Sequence, residues 1–273
     1  MIVNPFLNEL LQIIFNNLDD DIGSLFSLLF VNKNWCENAV PILWRRPFSH
    51  NRHNLEETMK IKKIIPILLS QISLQERIDL DLKDIPTKTM FDYVLFIKQF
   101  DISLLYWLVC KKYTMAISKT IFMKTKRLDE LTFLYEEYGD NHYESIFTLP
   151  KSQMLLNHIT KLKFNSTGNY SLFPNLSIYV KNIKYLSINF YCNSNNHKNV
   201  VKFFEDLIEF ISVQNNLEYF IINIKSNLSS IRHMEKWRGL FFKLSESHSP
   251  YKKIRYVFYK VFIRFFFLRN NVS

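Results

Sequence analysis

One six-position pattern, apolar-x-x-apolar-x-apolar, recurs through the second half of the chain and narrows the folds open to it. It occurs at Leu128, Leu131, Phe133; at Ile159, Leu162, Phe164; at Ile183, Leu186, Ile188; at Leu217, Phe220, Ile222; and at Tyr251, Ile254, Tyr256. The starts are 31, 24, 34 and 34 residues apart. Three of the five are followed directly by asparagine: Asn165, Asn189 and Asn223. The alternation at the end of each pattern reads as a short strand with one buried face. Helical spacing fills two of the gaps, at Val200, Phe203, Phe204, Leu207, Ile208 and Ile211, and at Trp237, Leu240, Phe241 and Leu244. A single strand-helix unit cannot bury its apolar face alone, so such units stack and share one core. The expectation is an α/β region with a parallel sheet, either a solenoid or a generic α/β domain.

The first 48 residues follow a different rule. Leu7, Leu10, Leu11, Ile14, Phe15 and Leu18 recur at helical spacing. Asp19-Asp20-Asp21 then breaks the pattern, and Gly23 and Ser24 offer turn and N-cap chemistry for a second helix carrying Leu25, Leu28, Leu29 and Val31. Asn32 can cap a third helix bearing Trp35, Ala39 and Leu43, which Pro41 should bend or interrupt. Three short helices bury too little surface to stand alone, so a partner or neighbouring domain is implied. Residues 50–120 read as further helices. One carries Ile61, Ile64, Ile65, Leu68, Leu69 and Ile72, with a break or kink at Pro66, and another, entered after Pro86, carries Phe91, Val94, Leu95 and Lys98. The strict alternation of Ile78-Asp79-Leu80-Asp81-Leu82 predicts a strand.

The residues Glu9-Leu10-Leu11, Ile14-Phe15, Leu18, Ser24-Leu25, Val31-Asn32-Lys33, Trp35 and Leu43-Trp44 resemble, in order and spacing, the F-box family. Leu7 stands where that family usually has a proline, and Pro5 lies two residues earlier. The resemblance covers residues 1–49, and an ordinary three-helix start is the alternative. Residues 50–273 would then hold a helical connector and a region that resembles degenerate leucine-rich repeats. The combination is similar to fungal-type families that join the two. It implies an N-terminal three-helix F-box followed by an irregular solenoid of α/β class with a parallel sheet. It also implies a substrate-recognition adaptor of an SCF-type ubiquitin ligase. Leu7, Leu10, Leu11, Ile14, Phe15, Leu18, Leu25, Val31, Trp35, Pro41 and Trp44 would dock a Skp-type adaptor and, through it, a cullin scaffold. The repeat strands would hold a protein target whose identity is unknown. A scaffold without ligase function is the competing reading.

Nothing in the sequence supplies chemistry of its own. It has no Gly-rich phosphate loop, no Cys-x-x-Cys, no His-Glu-x-x-His and no nucleophile elbow, so no enzyme, cofactor or metal site is expected. His50 and His53 lack further ligands nearby, and Glu136 and Glu137, being adjacent, point apart in a helix or a strand. The net charge of +10 would suit acidic partners. The lysines are scattered, however, and Ala occurs only at positions 39 and 116 while Asn, Lys, Ile and Phe abound. That bias follows A/T-rich codons, and no nucleic-acid partner is expected. Cys36, Cys110 and Cys192 form no disulfide framework, no segment reads as a secretory leader, and the longest apolar run, Val257–Leu268, is broken by Lys260 and Arg264. No membrane is expected, and the cytoplasm or nucleus is. The sequons at Asn165, Asn169, Asn175, Asn227 and Asn271 are then chance matches, and Tyr256–Phe267 reads as a last buried repeat strand.

Overall fold

The computed structural model describes residues 5–48, 55–83, 85, 88–135, 142–166, 172–192, 197–226, 253–259 and 262–268. These contain eleven α-helices and seven strands in two compact units, Met1–Leu128 and Asp129–Ser273. None of the described helices is long and apolar enough to cross a membrane.

The first unit is helical. It opens with α1 (Pro5–Asn16), α2 (Ile22–Leu28) and α3 (Lys33–Leu43). Both α1 and α2 pack on α3. Asp21, not Ser24, caps α2: its carboxylate accepts from the Ser24 backbone and hydroxyl, at 3.0 and 2.6 Å. Aspartate caps as well as serine does, and from Asp21 the carboxylate reaches the N3 amide. Asn32 caps α3 through the Trp35 amide at 3.0 Å. Next come α4 (Leu55–Ser70), α5 (Leu74–Asp79), a 3-10 turn at Tyr93–Phe96, β1 (Gln99–Asp101), α6 (Ile102–Leu108) and α7 (Lys111–Lys124). The end of α3 is tied to β1. The Lys98 and Gln99 amides both donate to the Arg45 carbonyl, and Phe48 meets Phe100 with ring centroids 5.6 Å apart.

Other sequence expectations in this unit also differ from the structure. Residues 78–82 form no strand: α5 runs to Asp79 and a turn comes after it, with Asp81 at φ 55°. The Ser73–Glu76 capping box starts this helix, and buried Arg77 donates to the Ile85 carbonyl, so local capping overrides the period-two pattern. Neither Pro41 nor Pro66 ends its helix. An interior proline costs about 3 kcal/mol, whereas Ile65, Leu68 and Leu69 around Pro66 are buried at ~1.5–3 kcal/mol each. The stretch around Phe91–Lys98 reaches only the 3-10 turn, since Asp92 makes no side-chain cap there.

The second unit holds β2 (Glu130–Tyr135), α8 (His142–Phe147), α9 (Pro150–Leu156), β3 (Lys161–Ser166), α10 (Leu172–Tyr179), β4 (Tyr185–Cys192), α11 (His197–Ser212), β5 (Tyr219–Ser226), β6 (Lys253–Tyr259) and β7 (Phe262–Leu268). Its strands lie side by side in the order β2-β3-β4-β5-β7-β6. The first four are parallel and in sequence order, with Leu131, Leu162, Leu186 and Phe220 in one row. Right-handed crossovers between sequential parallel neighbours place every connecting helix on the same face. The ring contacts agree. Phe133 meets Phe147 of α8, Phe164 meets Phe173 of α10 and Phe203 of α11, and Phe190 meets Phe203 and Phe204. Gln214, 3% exposed, stitches neighbouring units: it accepts from the Ile183 amide and donates to the carbonyls of Val180 and Phe210.

The fifth sequence pattern does not continue this progression. β7 inserts between β5 and β6 and pairs antiparallel with both. Tyr256–Phe267 thus spans two strands rather than one, because strands only two residues apart can join as a hairpin but have no length for a parallel crossover. Tyr251, the Trp237–Leu244 segment, His50, His53, Glu136 and Glu137 lie outside the described residues.

Candidate functional site

The opening helices distribute their apolar residues over two surfaces. Leu11 and Phe15 of α1 join Leu25, Ala39 and Ile42 in a closed cluster, with Leu18, Leu28, Leu29, Trp35 and Leu43 packed against it. Trp35 meets Phe15 edge-on at 5.4 Å. Leu10, Ile13 and Ile14 fall at i, i+3 and i+4 on another side of α1 and are 41%, 60% and 55% exposed. The apolar positions of this helix exceed one stripe, so it cannot bury them all against a single neighbour. On α2, Leu25 turns inward while Ile22 and Phe26 face solvent, with Phe30 and Val31 exposed just beyond. The Phe26 and Phe30 rings touch edge-on at 5.3 Å. Seven large apolar side chains between Leu10 and Val31 are therefore exposed. Single exposed apolar residues are ordinary; seven between positions 10 and 31 exceed that ordinary scatter.

Of the residues expected to dock an adaptor, Leu10, Ile14 and Val31 are thus offered outward. Leu11, Phe15 and Leu25 build the support beneath, with Leu18 and Trp35 against it. Pro41 is half-buried within α3, and Trp44 lies against Tyr93 with ring centroids 4.4 Å apart. The side chain of Leu7 lies outside the described residues. Ile13, Ile22, Phe26 and Phe30 are also exposed and are not among the expected residues. The signal for Ile13 was present in the triplet it forms with Leu10 and Ile14.

Charge fixes the turn between α1 and α2. Arg46 binds the Asp19 carboxylate and carbonyl and, at 3.0 Å, Asp20, while Arg45 donates to Asn16 at 2.7 Å. The acidic run therefore anchors the α1–α2 turn to the end of α3. All the Arg46 bonds come from its Nη2, so one charged nitrogen gathers both carboxylates and a turn carbonyl.

A second surface lies on the sheet of the Asp129–Ser273 unit, opposite its helices. Side chains alternate along each strand. In β3, Leu162 and Phe164 are buried and Lys161, Lys163 and Asn165 are half-buried. Register aligns Glu130, Lys161, Tyr185 and Tyr219 in one row, and Asn165, Asn189 and Asn223 in another. In the latter, Asn223 Nδ2 donates to Asn189 Oδ1 and Asn189 Nδ2 to Asn165 Oδ1, each at 2.6 Å. Glu130 places Oε2 3.1 Å from Lys161 Nζ and Oε1 2.5 Å from Lys163 Nζ. Lys161 also lies 5.3 Å from the centre of the Tyr185 ring, and Tyr185 pairs with Tyr219 at 6.3 Å.

Other features carry structure rather than a site. A shallow hollow lies between α5 and α7, where Lys119 meets Glu76 at 2.8 Å. Burial works against the Glu76 charge, but Lys119 and Ser73 outweigh it and hold the carboxyl below its ordinary range. Among the described residues no group of three His, Cys, Asp or Glu side chains could hold a metal ion. Comparison with protein families, with curated proteins and with solved structures finds no match.

Proposed function

We propose that this chain is a substrate-recognition adaptor of an SCF-type ubiquitin ligase, working in the cytoplasm or nucleus. On this reading residues 1–49 are an F-box that docks a Skp-type adaptor and, through it, a cullin scaffold. The observation that carries it is the outward group Leu10, Ile13 and Ile14 with Ile22, Phe26 and Phe30, supported by a closed cluster underneath. A rigid apolar helix face is what a partner's groove takes up. The Asp129–Ser273 unit would be the leucine-rich-repeat-like part that holds the target. Its support is the sequential parallel order of β2 to β5 with the connecting helices on one face. No bond is made by such a protein: it raises the effective concentration of target beside the ubiquitin-charged enzyme.

The test is co-purification of the full chain with a Skp-type adaptor and cullin. Leu10→Asp/Ile14→Asp is the informative variant, because both side chains are exposed and the closed cluster stays whole. Changing Leu11, which is 5% exposed, would damage that cluster instead. Association of the wild type and its loss in the variant are expected. An adaptor that fails to bind the wild type, or binds both equally, overturns the reading. Adaptor binding with cullin excluded favours a non-ligase scaffold.

A further inference from the structure

We infer that the sheet face opposite the helices of the Asp129–Ser273 unit binds an extended acidic peptide segment, with its carboxylates over Lys161 and Lys163. This deepens the reading of that unit as the target-holding part and rests on it.

The first observation is one of charge. Glu130 is 7% exposed and both of its oxygens are engaged, one by each lysine. The two lysine side chains remain 39% and 41% exposed. Two ammonium groups thus share one carboxylate, which leaves a positive charge on an accessible surface. The buried carboxylate also holds both ammonium groups in place before any ligand arrives, and such preorganisation reduces the ordering cost of binding. A site of this kind selects a second carboxylate and repels cations.

The second observation concerns what flanks the lysines. In the same row lie Tyr185 and Tyr219, the latter 45% exposed, and tyrosine offers contact area at small entropic cost. Four positions further along the strands, on the same face, lies the asparagine row. Each side-chain amide carries two hydrogens and two lone pairs; within the row Asn189 donates one bond and accepts one, and Asn165 accepts one. Amide groups at strand spacing can bond a peptide backbone whatever its side chains. A carboxylate-selecting pair, an aromatic neighbour and a row of amides together suit an extended peptide better than a nucleic acid. A nucleic acid has no backbone amide for the asparagine row to bond, and its affinity comes from neutralising many phosphates rather than from one local surplus charge.

The probe is labelled poly-L-glutamate, titrated against the full chain at low ionic strength, where surface charge is least screened. Poly-L-lysine and a single-stranded oligonucleotide are the comparisons. Lys161→Gln/Lys163→Gln is expected to weaken poly-L-glutamate binding by about tenfold or more. Lys151→Gln/Lys202→Gln, which removes two exposed lysines from α9 and α11, is expected to leave it within about twofold. Because the first variant strands a buried carboxylate, Glu130→Gln/Lys161→Gln/Lys163→Gln is measured beside it, with circular dichroism to verify folding. It too must lose binding. Unchanged affinity in the folded triple variant, or equal loss in the helix pair, overturns the inference. So does an oligonucleotide that binds more tightly with the same lysine dependence. Adaptor association is scored separately with Leu10→Asp/Ile14→Asp. Adaptor binding without peptide binding removes only this inference, and peptide binding without adaptor binding removes only the ligase reading.

Discussion

Asn189 holds the middle of the amide row, donating to Asn165 and accepting from Asn223. Asn189→Ala therefore removes two side-chain bonds where Asn165→Ala removes one. At ~0.5–1.5 kcal/mol per bond, urea titration should show Asn189→Ala the more destabilising, by about 1 kcal/mol. Asp206 is the opposite case. It is 8% exposed on α11, and its Oδ2 has no hydrogen-bond partner among the described residues. Burial raises its carboxyl above the ordinary value of 3.8; Lys202 opposes that, while Glu209 and Glu205 add to it. A carboxyl raised in the folded state favours folding only while protonated, and that contribution is lost as pH rises through the folded value. Asp206→Asn should accordingly raise the melting temperature at pH 7. Melts at a series of pH values should show the gain shrinking as the pH approaches 3.8. The sequence announced the asparagines by their recurrence after the apolar triplets. It did not announce Asp206, whose burial depends on how α11 seats against the sheet.

Among the elements, α1 shows most directly how one helix serves two roles. Phe15→Ala should cost about 3–5 kcal/mol, because Phe15 is 1% exposed and Trp35 rests on it. Ile13→Ala, at a site 60% exposed, should cost under about 0.5 kcal/mol. Chemical denaturation of the two variants tests the division between supporting and presented residues. Removing the α3 cap with Asn32→Ala should cost about 0.5–2 kcal/mol, read in the same experiment. Helical periodicity identified α1 in the sequence, but a stripe of six apolar residues does not say which side meets α3. That choice is made by Leu25, Ala39 and Ile42, which come from other segments. The error at residues 78–82 has a similar origin. Period-two alternation is a weak signal over five residues, and the Ser73–Glu76 box that overrides it lies outside the window. Neither proline interrupts its helix, since a local rule about a missing amide takes no account of the burial around it.

On the scale of the whole chain, the five-fold pattern located four parallel strands and their register, because each triplet places its apolar residues in the same row. It did not foresee the turn of direction at β7, which depends on a two-residue connection rather than on apolar spacing. Native-state hydrogen exchange should find the slowest amides in β3 and β4. These strands are paired on both sides and carry Phe164, Ile188 and Phe190 into the phenylalanine cluster. The asparagine row adds one more property, which concerns descent rather than stability. Asn223 and Asn189 each donate toward the preceding strand, so the row has a direction, and Asn189 accepts and donates by the same rule. A duplicated strand-helix unit carrying asparagine after its apolar triplet would extend the series with no other change. The spacings of 24 and 34 residues between successive asparagines show that the loops between them can differ in length. A gene built this way can lengthen or shorten by whole units, and the reversed pair β6–β7 sets the side on which such growth stops.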